Sequence, residues 1–190
     1  MRKIAIIGKC SSTRSDAPIF HSDWEVWGLA WDPLPVCHRY FEIHANWRNH
    51  RGNPEDAEAH KRWLMGLKVP VYMREAEHDI PTSVAYPFDD VAKLVGNSNL
   101  GFPYIESSIA VMLAQAILEG ADRIGVWGVD MGTTTEYAYQ RPNMEYLIGY
   151  ARGRGIKVWV PPQSALLSSA FDKPYGEWTA EDIQPETKAA

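Results

Sequence analysis

Cysteine is scarce: Cys10 and Cys37 are the only two in 190 residues. They stand at no metal-ligand spacing and are too few for a disulfide framework, so they read as reduced thiols. No apolar run approaches the ~18 residues of a membrane-spanning helix. The opening MRKIAIIGKC reaches Gly8 too soon for the apolar stretch of a secretion signal. Basic charge is not in excess either: 19 Lys and Arg stand against 24 Asp and Glu, a net charge of −5. That balance argues against a nucleic-acid backbone as main partner, because such proteins present a basic face. The short clusters Arg48, His50 and Arg51, and Arg152 and Arg154, read as solvated surface. Together these shortages lead to the expectation of a soluble, cytoplasmic protein with no membrane span.

Several chemistries lack their signatures as well. There is no HExxH and no Cys/His cluster for zinc. No Asp-x-Asp pair offers a metal–diphosphate clamp, and no GxSxG elbow offers a hydrolase serine. No metal is therefore expected. GKCSST after the first apolar run lacks the upstream glycine of a Walker A loop and is not GxGxxG. No repeat or low-complexity block is present.

What is there is a chain that is 45% hydrophobic. At this length a single core removes roughly 70% of the unfolded surface from water. KIAIIG at 3–8 is a short buried run, the mark of a strand covered on both faces. WEVWG at 24–28 and RYFEIH at 39–44 follow as strands. NPEDAEAHKRWLMGLK reads as a helix, with Asn53 capping, Pro54 in the first turn, and Glu55 and Asp56 at the positive end of the dipole. VPVYM at 69–73 is a strand near an edge because of Pro70. Residues 74–103 are hard to read beyond a short helix in YPFDDVAKLVG. From Tyr104 to Gly120, Ile105, Ile109, Met112, Leu113, Ala116 and Ile117 share one helical face. Arg123–Val129 is a central strand. Met144, Leu147, Ile148 and Ala151 mark another helix that Gly155 stops, and a last strand at 155–160 precedes a short helix in SALLSS. Strands alternating with helices predict an α/β, Rossmann-like fold: a mostly parallel sheet with helices on both faces. Residues 1–169 form one nucleotide-binding domain in this reading, and 170–190 a polar tail.

In such sheets ligands lie beyond the carboxyl ends of the strands, where the strand order reverses. That rule selects Gly8, Lys9, Ser11 and Ser12 after the first strand, where Gly admits a close backbone and Lys and Ser can donate to an anion; a tight structural turn would use the same residues. Asp130 ends the central strand. It reads either as a cap or as a carboxylate for a ribose hydroxyl or a substrate proton. The polar run after it supplies Tyr137, Tyr139, Gln140 and Arg141 to close over a ligand, with Arg141 able to neutralise a phosphate. Glu42 and His44 share one side of a strand, and His44 is a candidate acid or base unless it is a buried, satisfied histidine. Ser107 and Ser108 begin an apolar helix, where hydroxyls and backbone N–H groups suit either an anion or simple capping.

The order of these blocks resembles the bacterial sialyltransferases that decorate lipooligosaccharide. The resembling stretches are KIAIIGKCSS, VWGLAWD, ESSIAVMLAQAILEGADRI, GVWGVDMGTTTEYAY and IKVWVPPQSALL. The resemblance implies that Gly8, Ser11 and Ser12 line the phosphate or ribose of a CMP-type donor, with Ser107 and Ser108 beside it. It places Asp130 and Tyr137 at the reacting centre, where tyrosine hydroxyls stabilise the departing phosphate. Two departures stand out: Ala30 replaces the family's nucleotide-contacting Asn, and no histidine lies between Asp130 and the last strand to match the family's lid-borne base. Pterin pyrophosphokinase-like proteins look similar at the level of the fold, and FEIH, GVDM, EYAYQRP and VPPQS look like a recurrent class of bacteriophage proteins. The expected function is a nucleotide-binding, glycosyltransferase-like enzyme that uses a nucleotide-activated sugar, with Asp130 or His44 managing the proton. The alternatives are a phage protein that binds or sequesters a nucleotide without catalysis, and a pyrophosphokinase-like transfer with Mg²⁺ on Asp130, Glu136 and Glu145. The acceptor is not legible. Eight tryptophans leave room for a homo-oligomer.

Overall fold

A computed structural model describes residues 1–48, 54–96, 101, 103–132 and 137–168. Its strands are β1 (Lys3–Ile7), β2 (Glu25–Leu29), β3 (Arg39–Glu42), β4 (Val71–Met73), β5 (Ser83–Ala85), β6 (Arg123–Trp127) and β7 (Lys157–Trp159). Between them lie the helices α1 (Ser11–Arg14), α2 (Pro54–Gly66), α3 (Phe88–Val95), α4 (Ser108–Leu118) and α5 (Tyr137–Gly153). A 3-10 turn covers Ala165–Leu167. The strands form one sheet in the order β5-β4-β3-β2-β1-β6-β7, and every pairing is parallel. This is the expected Rossmann-like α/β architecture.

An all-parallel sheet needs cover on both faces, because its strands are apolar on both. KIAII shows this directly. Ile4 and Ile6 pack with α4 and α5 on one face, while Ala5 and Ile7 turn to Val26 and Trp127 on the other. Helix α4 is buried from Ile109 to Ile117, apolar there except for Gln115, and packs against the sheet and the helices α3 and α5. Helix α2 takes the opposite face, where Leu64 joins Tyr40, Val71 and Met73.

The strand order reverses at β1, which has β2 on one side and β6 on the other. Two glycines sit at that point. A Cβ on Gly8 would stand 2.3 Å from the Gly128 carbonyl oxygen, and one on Gly128 would stand 2.5 Å from that of Gly8. Gly128 also has φ +65°, in the region that side chains avoid. The two strand ends can approach this closely only because both lack a side chain.

Some boundaries differ from expectation for local reasons. β3 stops at Glu42, before His44. α4 starts at Ser108 because the Ser107 Oγ accepts the Ala110 N–H at 3.1 Å and caps it. The stretch expected as a loop after β1 contains the four-residue α1. β4 has β5 beyond it, and Pro70 precedes the strand, its carbonyl accepting from the Tyr40 N–H at 3.0 Å. Asn53, Glu136 and the tail from 170 lie outside the described residues.

Candidate functional site

The carboxyl ends of β1 and β6 are joined by backbone before any ligand is considered. The Gly8 N–H donates to the Trp127 carbonyl at 2.8 Å, and the Cys10 N–H to that of Gly128 at 2.9 Å. The buried Thr13 Oγ1 accepts the Gly128 N–H at 2.8 Å. On the far side the Ser164 hydroxyl donates to the Val129 carbonyl at 2.5 Å. Asp130 therefore stands between a pinned Val129 and Met131, which has φ +51°. Arg14 braces the same floor, donating to the Gly8 carbonyl at 2.5 Å and pairing with Asp32 at 2.6 Å.

Above this floor opens a cleft of about 1270 Å³. Gly8, Lys9, His44, Ser107, Ser108, Asp130, Tyr137 and Gln140 all line it, contributed by five different segments of the chain. The structure thus brings together most of the candidate residues. Ser11 and Ser12 are exposed on α1 and do not form its wall; the Ser12 Oγ reaches the Cys10 sulfur at 3.5 Å. Arg141 turns away, its Nε on Glu145 at 2.8 Å and its Nη2 on the Ser168 carbonyl at 2.7 Å. A role for Arg141 at a phosphate would require it to leave both partners.

Asp130 accepts a hydrogen bond from the Cys10 thiol on Oδ2 at 2.6 Å. Its Oδ1 is buried and has no hydrogen bond of normal geometry among the described residues. Desolvation pushes the carboxyl up, but hydrogen bonds from Cys10 and Ser12 outweigh it and hold the group below its ordinary value. Asp130 is thus an ionised acceptor at neutral pH and a weak base.

At the end of β3, Glu42 is 2% exposed and lies between two imidazoles. His44 Nδ1 is 2.5 Å from Oε1, and the equally buried His60 Nε2 is 3.0 Å from Oε2. Burial raises the Glu42 carboxyl, yet the hydrogen bonds from His44 and His60 overcome it and bring it down to about 2. His44 is raised in turn, chiefly by its hydrogen bond to Glu42 and against the cost of burial. Its ring remains half-exposed on the cleft wall, so the fully buried histidine is His60.

The α4 end of the cleft is placed by a residue that reading the sequence missed. Asn143 of α5 is wholly buried; its Oδ1 accepts the Glu106 N–H at 3.0 Å and its Nδ2 donates to the Tyr104 carbonyl at 2.7 Å. This fixes the loop that carries Ser107 and Ser108. Asn143 sits among the apolar positions of α5, and a polar residue at a buried helical position was the one available signal. Cys10 was likewise taken for a plain thiol; only the fold brings it to Asp130.

Among the described residues, no group of three or more His, Cys, Asp and Glu side chains is arranged to hold a metal ion. No helix is long and apolar enough to cross a membrane among those residues.

No protein-family model matches this chain, and no curated protein matches it. Solved structures do. The chain is similar to the sialyltransferase CstII from Campylobacter jejuni in complex with cytidine-5'-monophosphate: TM-score 0.57, 16% identity, 87% of this chain and 82% of that one. The same enzyme with CMP-3FNeuAc gives TM-score 0.53 and 16% identity over 84% and 80% of the two chains. A complex of that sialyltransferase with a trisaccharide acceptor and CMP gives TM-score 0.52 and 15% identity over 84% and 80%. At such identities the likeness establishes the fold.

Proposed function

We propose that this protein binds a nucleotide in the cleft beyond β1 and β6 and is a glycosyltransferase-like enzyme that uses a nucleotide-activated sugar, with a CMP-type donor as first candidate. The observation that carries this reading is the glycine-to-glycine approach of the two strand ends beneath an ionised Asp130 that lines the cleft. That arrangement lies at the reversal of strand order, where nucleotides bind in open parallel sheets. The fold shared with an enzyme crystallised with CMP supports the choice of donor.

In this reading Gly8 and Lys9 receive the phosphate, and the α4 N-terminus with Ser107 and Ser108 contacts the ribose or phosphate. Asp130 accepts from a ribose hydroxyl or from the acceptor hydroxyl. As the bond from the anomeric carbon to the phosphate oxygen breaks, an acceptor oxygen bonds that carbon and loses its proton to a carboxylate or water. The nucleotide leaves with the bonding pair, and Tyr137 and Gln140 donate to it. We place the protein in a cytoplasm, host cytoplasm if a phage encodes it, with residues 1–169 as one domain.

A thermal-shift screen with CMP, UDP, GDP, ADP and their sugar conjugates, with and without Mg²⁺, tests the reading. A nucleotide at 100 times its dissociation constant stabilises the protein by about 2.7 kcal/mol. A selective shift that Asp130→Ala abolishes supports it; no shift with any nucleotide overturns it. The low basicity of Asp130 favours a second reading, capture of a nucleotide without turnover. Release of free sugar or transfer to an added glycan, followed by chromatography, separates the two.

A further inference from the structure

The cluster at the end of β3 is more than a support for its strand. A general base must be unprotonated near its working pH. Glu42 opposes that at His44, because a buried carboxylate at 2.5 Å favours the protonated ring. Glu42 cannot turn away, since its second oxygen is 3.0 Å from His60, which is enclosed by Trp31 at 5.1 Å and Trp47 at 6.4 Å between ring centres. The imidazolium so held stands on the cleft wall with Lys9 after β1 and Arg74 after β4, and Lys93 of α3, which pairs with Asp90, lines the same cleft.

We propose that Glu42 and His60 hold His44 as an imidazolium, and that His44, with Lys9 and Arg74, receives the ionised phosphate of the nucleotide. This rests on the nucleotide reading above and gives His44 a task other than that of a base. Glu42 and His60 are positioning residues in it. Among the described residues, Glu42 on its own segment favours the protonated ring and Lys9 opposes it, while His60 of α2 lies across that carboxylate. Arg74 stands beside it on the wall. Asp89 and Lys93 of α3, Glu106 before α4 and Asp130 after β6 face the same cleft. Of the basic groups on that wall His44 is the imidazole, the side chain whose ordinary titration lies nearest neutral pH.

The test compares CMP with cytidine, which lacks only the phosphate, at pH 7 and pH 9 by calorimetry. The phosphate is about nine-tenths dianionic at pH 7 and gains the rest of its charge by pH 9, so its own titration would strengthen rather than weaken binding at the higher pH. CMP is expected to bind roughly tenfold more weakly at pH 9, the size of one charge-assisted hydrogen bond, and cytidine equally at both. His44→Gln should bring the pH 7 affinity down to the pH 9 value and remove the dependence. Glu42→Gln should move the fall in affinity to lower pH; if that variant does not fold, His44→Gln, at a half-exposed position, still decides.

Imidazole resonances followed by NMR separate the two ideas. CMP bound without any change in the His44 titration overturns this inference and leaves the nucleotide reading standing. CMP failing to bind while inorganic pyrophosphate raises the His44 titration supports the anion role and overturns the nucleotide. No response of His44 to either anion, with no CMP binding, overturns both.

Discussion

The two ends of the sheet carry charge in opposite ways. At the amino ends of β1–β3, Arg2 pairs with Glu25 at 2.9 Å and Glu119 at 2.5 Å, and Arg39 pairs with the same two carboxylates, each at 2.6 Å. Gln115 donates to Glu119 and the Trp27 indole N–H to Glu25, so each carboxylate has at least three donors. Arg39 also lies 4.8 Å over the Trp27 ring. At the carboxyl ends, the Asp130 Oδ1 has no hydrogen bond of normal geometry among the described residues, and Lys9, His44, Arg74 and Lys93 face a cavity. A charge cluster whose carboxylates are each met by several donors from within braces the fold. One that lines a cavity, at the reversal of strand order, is where the proposed nucleotide would sit.

Breaking the joint beneath the site should have the largest effect. Gly128→Ala forces a side chain 2.5 Å from the Gly8 carbonyl oxygen at a positive φ. It should cost about 3 kcal/mol or more by denaturant unfolding. Glu119→Ala leaves Arg2 and Arg39 each one partner short. Because those groups are part-exposed, the loss should be about 2 kcal/mol, with nucleotide affinity unchanged. Asp130→Asn should invert that pattern: unfolding within about 1 kcal/mol of the parent, but nucleotide binding at least roughly tenfold weaker by calorimetry. If both variants lose stability and keep binding, the contrast between the two ends fails.

Acid should act through the third cluster. Glu42 is depressed in the folded protein to about 2, so its contribution is complete above the ordinary glutamate range and disappears as pH falls towards 2. His44 is raised, so its contribution is present below the ordinary histidine value and is lost as pH rises through the higher folded one. Melting temperature against pH should fall on both sides for the parent and flatten for Glu42→Gln. The smallest effect is expected at the exposed Arg62–Glu58 pair, where Arg62→Ala should leave the melting temperature unchanged.

How far the sequence speaks depends on the range of the interaction. Runs such as KIAII and the apolar face around Met112 are local patterns, and they announced β1, α4 and the sheet class. β5 escaped because three residues, two of them exposed, carry no periodicity; its partner β4 defines it. Asp130, His44 and Ser107 were legible because strand and helix ends can be read locally and the topology rule says which ends matter. What Asp130 touches was not: Cys10 is 120 residues away. The His60–Glu42 contact joins a helix to a strand, and no spacing in the sequence announces it. Arg141 was misjudged because i,i+4 pairing with Glu145 competes with any role in the cleft.

The all-parallel order has a kinetic consequence. No two neighbouring strands are joined by a hairpin, and β1 cannot gain its second neighbour until β6 exists; Arg2 and Asp122, bonded at the start of that pair, are 120 residues apart. At ribosomal speed that is a wait of roughly 6–24 s. Through that time KIAII is an apolar strand with one edge unpaired, the kind of segment that associates with its like. Folding during synthesis must therefore finish late and nearly all at once, and a nascent chain halted before residue 123 should be held by chaperones, whereas one halted after β7 has left the ribosome should be released.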